Sequence, residues 1–217
     1  MFGQLGSHGR LISDFLDPNA INTQTFYTTQ YKEIAGSPFL EDKTYPGTVI
    51  LKDGTRVEEL LLRYSGYEDA VLYEMEGEKA AMIDPELISG FEYHKEGKKV
   101  RFISAVIFDK EKNFFEVIYE GKVSMYVRHQ IVLSKKTDNT GGYGSKDLHG
   151  SAFKLKDKYV FTNEGGISQE VSLNKKSLLG AMTDKESAIE GYIKKNKVKL
   201  KDQNELIQLL QYYDSLD

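Results

Sequence analysis

Apolar and polar side chains alternate along much of the chain between positions 45 and 133. Successive side chains of a strand point to opposite faces, so a period of two residues indicates β-structure. In the first run, Val49 and Leu51 fall on one face, and Thr48, Ile50 and Lys52 fall on the other. Asp53-Gly54 follows at once, and this pair tolerates the positive φ angles of tight hairpin turns. The pattern predicts a hairpin at the start of the main sheet.

The same rhythm continues in short apolar runs separated by Gly, Asp, Glu and Lys. It predicts strands over 56–64, 70–75, 79–83, 88–94, 100–108, 114–119 and 123–133, and shorter ones over 153–155, 159–162 and 167–173. Turn signals at intervals of about 8 to 12 residues are typical of antiparallel sandwiches and barrels. A parallel sheet would need intervening helices, which the pattern does not offer. We therefore expect an antiparallel meander, arranged as a sandwich or a half-barrel.

After position 173 the apolar period becomes helical. Asn174 is placed to cap a short helix that runs through Met182. Thr183 and Glu186 have the spacing of a capping box, which predicts a second helix ending near Asn196. A third helix is expected from about position 202, because its apolar residues form one stripe. That stripe consists of Leu206, Leu209, Leu210 and Tyr213.

These elements predict an α+β protein that is mainly β, with a small C-terminal helical tail. Residues 1–44 would form an N-terminal segment with a short helix before position 17 and a strand over 25–34. Residues 45–173 would form the antiparallel β domain, and 174–217 helices packed on it. The longest interruption of the pattern, 134–151, predicts a loop of the length that is usually functional or mobile.

Composition narrows the functional classes. The chain has 217 residues, of which 40% are hydrophobic and 29% charged, as in ordinary globular proteins. Its net charge is −4, whereas a nucleic-acid binder usually has an excess of basic residues. It has no cysteine, which excludes disulfides, thiolate metal sites and cysteine nucleophiles in this chain. No apolar run is long enough to span a membrane, and the first eight residues lack the basic and apolar regions of a signal peptide.

Several short motifs suggest chemistry but lack its full signature. The Gly-rich stretch 141–146 has the wrong spacing for a phosphate-binding P-loop, so we interpret it as a flexible loop. Ser151 with Lys154, and Ser172 with Lys175, match the S-x-x-K motif of acylating serine enzymes. The companion S-D-N and K-T-G motifs are missing, so chance matches explain these pairs better.

The chain has four histidines, His8, His94, His129 and His149, in no metal-binding spacing. Strict alternation places His129 on the apolar face of its strand. It is a candidate proton donor or ligand contact there, although a hydrogen-bonded core histidine is the simpler interpretation.

Charged residues offer two further candidates. The run 194–201 contains five lysines and could attract phosphate groups, but lysines at a helix C-terminus also interact favourably with the helix dipole, and we prefer that explanation. The acidic residues Glu68, Asp69 and Glu116 could meet another carboxylate for acid–base chemistry, although no spacing predicts it.

Several short stretches resemble a set of bacterial proteins of unknown function, in which a signal peptide precedes a β-rich domain. The matching stretches are Gly36-Ser37-Pro38-Phe39-Leu40, Gly47-Thr48-Val49, Lys52-Asp53-Gly54, Leu62-Arg63-Tyr64, Phe114-Phe115-Glu116-Val117, Gly121-Lys122-Val123-Ser124 and the Lys-rich tail over 193–213. The resemblance implies an exported or envelope location, in the periplasm or secreted. This chain departs from those proteins in showing no signal peptide, and the resemblance transfers no catalytic residue.

Three functional hypotheses follow. The first is a non-enzymatic structural or interaction protein of the bacterial cell envelope, with a protein partner and no nucleic acid. The second is a lipocalin-like binder of a small apolar ligand, whose lining would be Met75, Met82, Phe91, Phe102 and Met125. The third is a hydrolase that uses His129 or a Ser-Lys pair. The sequence assigns no catalytic, cofactor-binding or metal-binding residue and implies no cofactor.

Overall fold

The computed structural model describes residues 31, 34–74, 81–83, 85–108, 110–134 and 151–216. The predicted N-terminal helix, most of the strand predicted over 25–34, and the Gly-rich stretch 141–146 lie outside these residues.

The described part of the chain forms ten strands and three helices. The strands are β1 Tyr45–Leu51, β2 Arg56–Ser65, β3 Ala70–Glu74, β4 Ala81–Ile83, β5 Ile88–Lys95, β6 Lys98–Ala105, β7 Asn113–Glu120, β8 Ser124–Ser134, β9 Ala152–Thr162 and β10 Ser168–Val171. The helices are α1 Lys175–Ala181, α2 Glu186–Asn196 and α3 Gln203–Ser215. The predicted mainly-β, antiparallel fold with a helical tail is confirmed.

The described residues divide into two compact units. Unit 1 takes the residues up to 114 together with 129–156, and unit 2 takes 115–128 together with the residues from 157 onward. Each unit has its own hydrophobic core.

In unit 1 the strands follow the order β6-β5-β1-β2-β3-β4, and the pairs between them are antiparallel. The chain therefore returns after β4 so that β5 pairs with β1. Gly47 of β1 lies opposite Tyr93 of β5, and a Cβ on that glycine would overlap with the carbonyl oxygen of Glu92. Glycine at this position allows the two strands to approach closely.

The turns of unit 1 follow the predicted chemistry. Gly54 adopts a φ of 87°, and the Asp53 carboxylate accepts a hydrogen bond of 2.9 Å from the Thr55 amide. Between β5 and β6, Glu96 and Gly97 adopt φ values of 52° and 77°, as a tight two-residue hairpin requires.

Aromatic side chains fill the core of unit 1. The rings of Phe91 and Phe102 stack with their centroids 4.5 Å apart, and Phe114 meets Phe91 edge-on at 5.0 Å. Tyr64 packs on the same group, with its ring centroid 5.0 Å from that of Phe102. Offset stacks and edge-on contacts are the favourable arrangements for aromatic pairs.

Unit 2 combines two hairpins with the helices. The β7–β8 and β9–β10 pairs are antiparallel. The stripe predicted for the third helix is confirmed, because Leu206, Leu209, Leu210 and Tyr213 are its buried residues. They pack with Ile189 of α2 and with side chains of both hairpins.

Two local predictions in this part of the chain are wrong. The strands predicted over 153–155 and 159–162 are one continuous strand, β9, whose residues 154–158 are exposed. Four of these five exposed residues are charged, so the side-chain pattern hides the continuity of the strand. The predicted capping box of Thr183 and Glu186 does not form, since α2 begins after Lys185 without a side-chain cap. The cap predicted at Asn174 is confirmed, and the third helix begins after Asp202, as predicted, with the Asp202 side chain as its cap.

Candidate functional site

His129 lies on β8 with its side chain turned inward, as the alternation predicted. The residue is 9% exposed, and its ring centroid lies 6.1 Å from that of Phe102. His129 therefore belongs to the aromatic packing of unit 1, and its use as a proton donor stays a prediction. His94 is exposed on β5, whereas His8 and His149 lie outside the described residues.

The acidic pair Glu68-Asp69 forms part of the turn between β2 and β3. The Tyr64 hydroxyl donates a hydrogen bond of 2.7 Å to Asp69 Oδ1, and the Phe114 amide donates one of 3.3 Å to the same oxygen. Glu68 accepts a hydrogen bond of 3.2 Å from the Tyr31 hydroxyl. Burial and then this carboxylate raise the pKa of Tyr31 to about 12. Both carboxylates therefore connect the turn to tyrosines.

Glu92 of β5 is a nearly buried carboxylate that the sequence did not single out. Its side chain is 7% exposed, and its two oxygens pair with the guanidinium of Arg56 and, at 2.7 Å, with Lys99 Nζ. Burial acts to raise the pKa of Glu92, but the hydrogen bonds from Lys99 and Arg56 outweigh it and the pKa is lowered. Glu92 therefore stays ionised at neutral pH, which does not suit a general acid.

The sequence contains one sign of the cluster formed by Glu92, Arg56 and Lys99, but its meaning depends on how the strands pair. Glu92 interrupts an apolar run, and it lies between Thr48 of β1 and Arg101 of β6 in the sheet. Only the return of β5 to β1 brings Arg56, on β2, within reach.

Neither Ser-Lys pair has the geometry of an acylating serine. Ser151 is buried whereas Lys154 is exposed on β9, because residues three apart on an extended chain point to opposite faces. Lys175 pairs with Glu190 at 2.7 Å, which engages its ammonium group. The hydrolase hypothesis gains no support from these residues.

The side chains proposed to line a half-barrel have different surroundings. Phe91 and Phe102 are fully buried and stack on each other in unit 1. Met125 is also fully buried, but it belongs to the core of unit 2. Met75 and the side chain of Met82 lie outside the described part. The three described residues thus fill cores, which weighs against a ligand cavity lined by them.

In unit 2 the carboxylate of Asp214, on α3, holds the β7–β8 turn. It accepts hydrogen bonds from the Tyr119 hydroxyl at 2.8 Å, the Lys122 amide at 2.8 Å and the Val123 amide at 3.2 Å. Burial and this carboxylate raise the pKa of Tyr119 to about 12. A Cβ on Gly121 would overlap with the carboxylate, so glycine at this position lets the carboxylate approach the turn.

A depression of about 430 Å³ lies at the start of α2. It is lined by Thr183, Asp184, Lys185, Glu186, Ser187, Ala188 and Leu216. Lys185 Nζ donates a hydrogen bond of 2.6 Å to the Leu216 carbonyl, and both oxygens of Asp184 lie 2.8 Å from the Tyr213 hydroxyl. Burial and the Asp184 carboxylate raise the pKa of Tyr213. Two charged groups of this depression, Asp184 and Lys185, are therefore hydrogen-bonded within unit 2.

Residues 106–108, which we call the apolar loop, follow β6. Val106 and Phe108 are 55% and 49% exposed, which is unusual for large apolar side chains placed two residues apart. Lys110 and Glu111, two and three residues after Phe108, are exposed and of opposite charge.

Both ends of the connection between β6 and β7 are fixed by hydrogen bonds. Before the apolar loop, the Ser104 hydroxyl donates to the Pro85 carbonyl at 2.5 Å. After it, the Lys112 amide donates to the Glu86 carboxylate at 3.3 Å. The exposed apolar side chains therefore extend from a connection that is held at each end.

No group of three or more potential metal ligands occurs among the described residues. In the same part of the chain, no helix is long and apolar enough to cross a membrane. Comparison with family models, with curated proteins and with solved structures finds no match to this chain.

Proposed function

We propose that the protein is a non-enzymatic interaction protein that binds a protein partner through the apolar loop. The observation that carries this proposal is the exposure of Val106 and Phe108 on a connection fixed at both ends. A partner that covered these side chains would remove apolar surface from water, which is favourable by about 25 cal/mol per Å². Buried aromatic side chains are among the strongest anchors of protein interfaces.

The charges around the apolar loop favour a protein as the partner. Lys110 and Glu111 give a mixed, polar edge, as at the rim of protein–protein interfaces. The net charge of −4 disfavours attraction of a nucleic acid to the protein as a whole.

The ionisable groups support a non-enzymatic function. Glu92, Asp184 and Asp214 each bond to cationic or hydroxyl partners within their own unit. The pKa of Glu92 is lowered and that of Tyr119 is raised to about 12, so both groups keep a fixed protonation state at neutral pH. Groups with fixed protonation states serve better as structural bonds than as proton-transfer groups.

Site-specific photo-crosslinking tests the proposal. A photoreactive residue at position 108 is expected to give one discrete adduct in extracts of the native cells, and a probe at Ile167, which is 68% exposed in unit 2, is the control. Unlabelled wild-type protein should compete the adduct away, and unlabelled Phe108→Asp protein should not. Adducts of equal yield at both positions, or competition by the Asp variant, would contradict the proposal.

We further propose that the protein acts outside the cytoplasm, as part of the bacterial envelope. This rests on the resemblance to signal-bearing bacterial proteins alone. Fractionation of cells that express the natural gene, with cytoplasmic and periplasmic marker enzymes as controls, tests it. Recovery with the cytoplasmic marker would contradict it.

A further inference from the structure

A second surface lies in unit 2 at residues 194–201, which include the end of α2 and the segment that follows it. We call these residues the lysine turn. They include Lys194, Lys195, Lys197, Lys199 and Lys201, all of them exposed. The helix ends at Asn196, and Lys197 adopts the left-handed conformation with φ 52° and ψ 42°. The chain then continues without helical or strand structure to Leu200.

Buried neighbours fix the direction of the outer lysines. Val198 and Leu200 are partly buried and pack against the core of unit 2. The Val198 amide donates to the Ile193 carbonyl at 3.1 Å, which closes the end of α2. Because Val198 and Leu200 turn inward, the lysines that alternate with them face solvent on the other side of the chain.

The helix dipole explains only part of this charge. Lys194 and Lys195 lie in the last turn of α2, where cations are stabilised. Lys199 and Lys201 lie beyond the helix, where that effect has fallen off. Within the described residues, none of the five lysines has a carboxylate within 4 Å, although Lys194 lies close enough to Glu190 to help lower the pKa of that carboxyl.

The acidic residues that follow the lysine turn, Asp202 and Glu205, accept hydrogen bonds from backbone amides and leave an excess of positive charge. Asp202 accepts a hydrogen bond of 3.1 Å from the Glu205 amide, and the Glu205 carboxylate accepts one of 2.6 Å from the Lys199 amide. Residues 194–205 thus keep three more positive than negative charges. In a chain with a net charge of −4, this is a local reversal of sign.

We propose that the lysine turn binds the anionic surface of a phospholipid membrane. Clusters of four to eight basic residues on an amphipathic helix bind anionic lipid headgroups by long-range attraction. Lys194 and Lys195 lie in the last turn of such a helix, α2, which buries Ile189 and Ile193 on its other side. Tyr192 and Tyr212, on the helices that flank the turn, are half-buried and stack on each other with centroids 4.3 Å apart. Tyrosine suits the boundary between water and lipid headgroups.

The same tyrosine pair disfavours single-stranded nucleic acid as the partner. Such binders use open aromatic faces on which bases stack. Tyr192 and Tyr212 each cover one face of the other ring, and no other aromatic residue occurs in 194–211.

Vesicle co-sedimentation with the full chain tests the proposal. The probes are vesicles of phosphatidylcholine with about one third phosphatidylglycerol, and vesicles of phosphatidylcholine alone. Binding to the anionic vesicles is expected, with a steep decrease as the salt concentration rises. The combined variant Lys197→Gln, Lys199→Gln and Lys201→Gln should bind them about a hundredfold more weakly, since each lysine contributes about fivefold.

A matched control separates position from total charge. The combined variant Lys154→Gln, Lys156→Gln and Lys158→Gln removes three exposed lysines from β9 and changes the net charge equally. It should bind the anionic vesicles within about twofold of the wild type.

Equal losses of vesicle binding in both variants, or no loss in the Lys197, Lys199 and Lys201 variant, would overturn the proposal. Tighter binding of a single-stranded oligonucleotide than of anionic vesicles at the same salt concentration would also overturn it. Because all six lysines are exposed, both variants are expected to fold, which circular dichroism checks.

Discussion

The two units build their cores from different materials. The core of unit 1 consists of strand residues, and aromatic rings stack at its centre. The core of unit 2 is largely aliphatic and joins α1, α2 and α3 to two hairpins. Unit 1 has a nearly buried carboxylate, Glu92, on its sheet, whereas unit 2 uses Asp214 at the end of a helix to hold a turn.

This difference shows what each kind of core requires. Stacked rings stabilise through area and shape, so the core of unit 1 is sensitive to the loss of volume. The helices of unit 2 depend in addition on a few directed hydrogen bonds at one turn. Removing a buried ring in unit 1 and a hydrogen-bond acceptor in unit 2 should therefore show separately how much packing and hydrogen bonding contribute to stability.

The largest effect is expected in the aromatic core. Phe102→Ala should lower the free energy of unfolding by about 3–5 kcal/mol, because Phe102 is fully buried and stacked on Phe91. Urea denaturation followed by tyrosine fluorescence measures the change. Phe108→Ala is the matched control, and it should change stability by less than about 1 kcal/mol because Phe108 is half exposed. Equal losses in the two variants would show that exposure does not decide the cost.

The second largest loss of stability is expected at the β7–β8 turn of unit 2. Asp214→Ala removes the acceptor of three hydrogen bonds and should cost about 2–3 kcal/mol. Gly121→Ala should cost a similar amount, because its Cβ would displace the same carboxylate. A double-mutant cycle measured by urea denaturation should therefore be strongly non-additive.

Gly191→Ala is the control for the glycine substitution. A Cβ at this position of α2 meets no atom within 4 Å, so alanine should raise stability by up to about 1 kcal/mol. Additive losses for Gly121→Ala and Asp214→Ala would show that the methyl group and the carboxylate act separately.

A smaller loss of stability is expected in the charged cluster of unit 1, where Glu92 pairs with Arg56 and Lys99. Glu92→Gln should cost about 1 kcal/mol, because Arg56 and Lys99 are 44% and 51% exposed and are well screened by water. High salt should reduce the difference from the wild type. The lowered pKa of Glu92 means that its contribution is present above the usual value of 4.5 and is lost as the pH falls through the folded-state pKa. A loss independent of salt and pH would contradict an ionic origin.

Much of the fold was predictable from side-chain period and turn chemistry. The Asp53-Gly54 turn, the inward direction of His129 and the caps at Asn174 and Asp202 all depend on neighbours in sequence. Local rules apply to such features because the residues that decide them lie within one turn or one strand.

The features that the sequence did not reveal depend on distant contacts. Asp214 reaches the amide of Lys122, and Glu92 reaches Arg56, only after strands and helices have paired. The continuous course of β9 was hidden because residues 154–158 are exposed on both faces. The contact between Arg56 and Glu92 joins residues that are 36 positions apart, and the contact between Lys122 and Asp214 joins residues that are 92 apart. No local pattern encodes such contacts.

The smallest effect concerns alkaline pH and separates Tyr119 from the rest of its turn. The pKa of Tyr119 is raised from 10.0 to about 12 by burial and by its hydrogen bond to Asp214, so the folded state keeps a proton that the unfolded state releases. This contribution to stability is fully present below pH 10 and is lost as the pH rises to about 12. Tyr119→Phe should therefore show a shallower decrease of stability over this interval than the wild type, by urea denaturation at each pH. Tyr126→Phe, on the neighbouring strand β8, is the control and should follow the wild-type profile. If Tyr119→Phe also followed that profile, the pKa of Tyr119 would not be raised in the folded state, and its hydroxyl would contribute nothing to the loss of stability at alkaline pH.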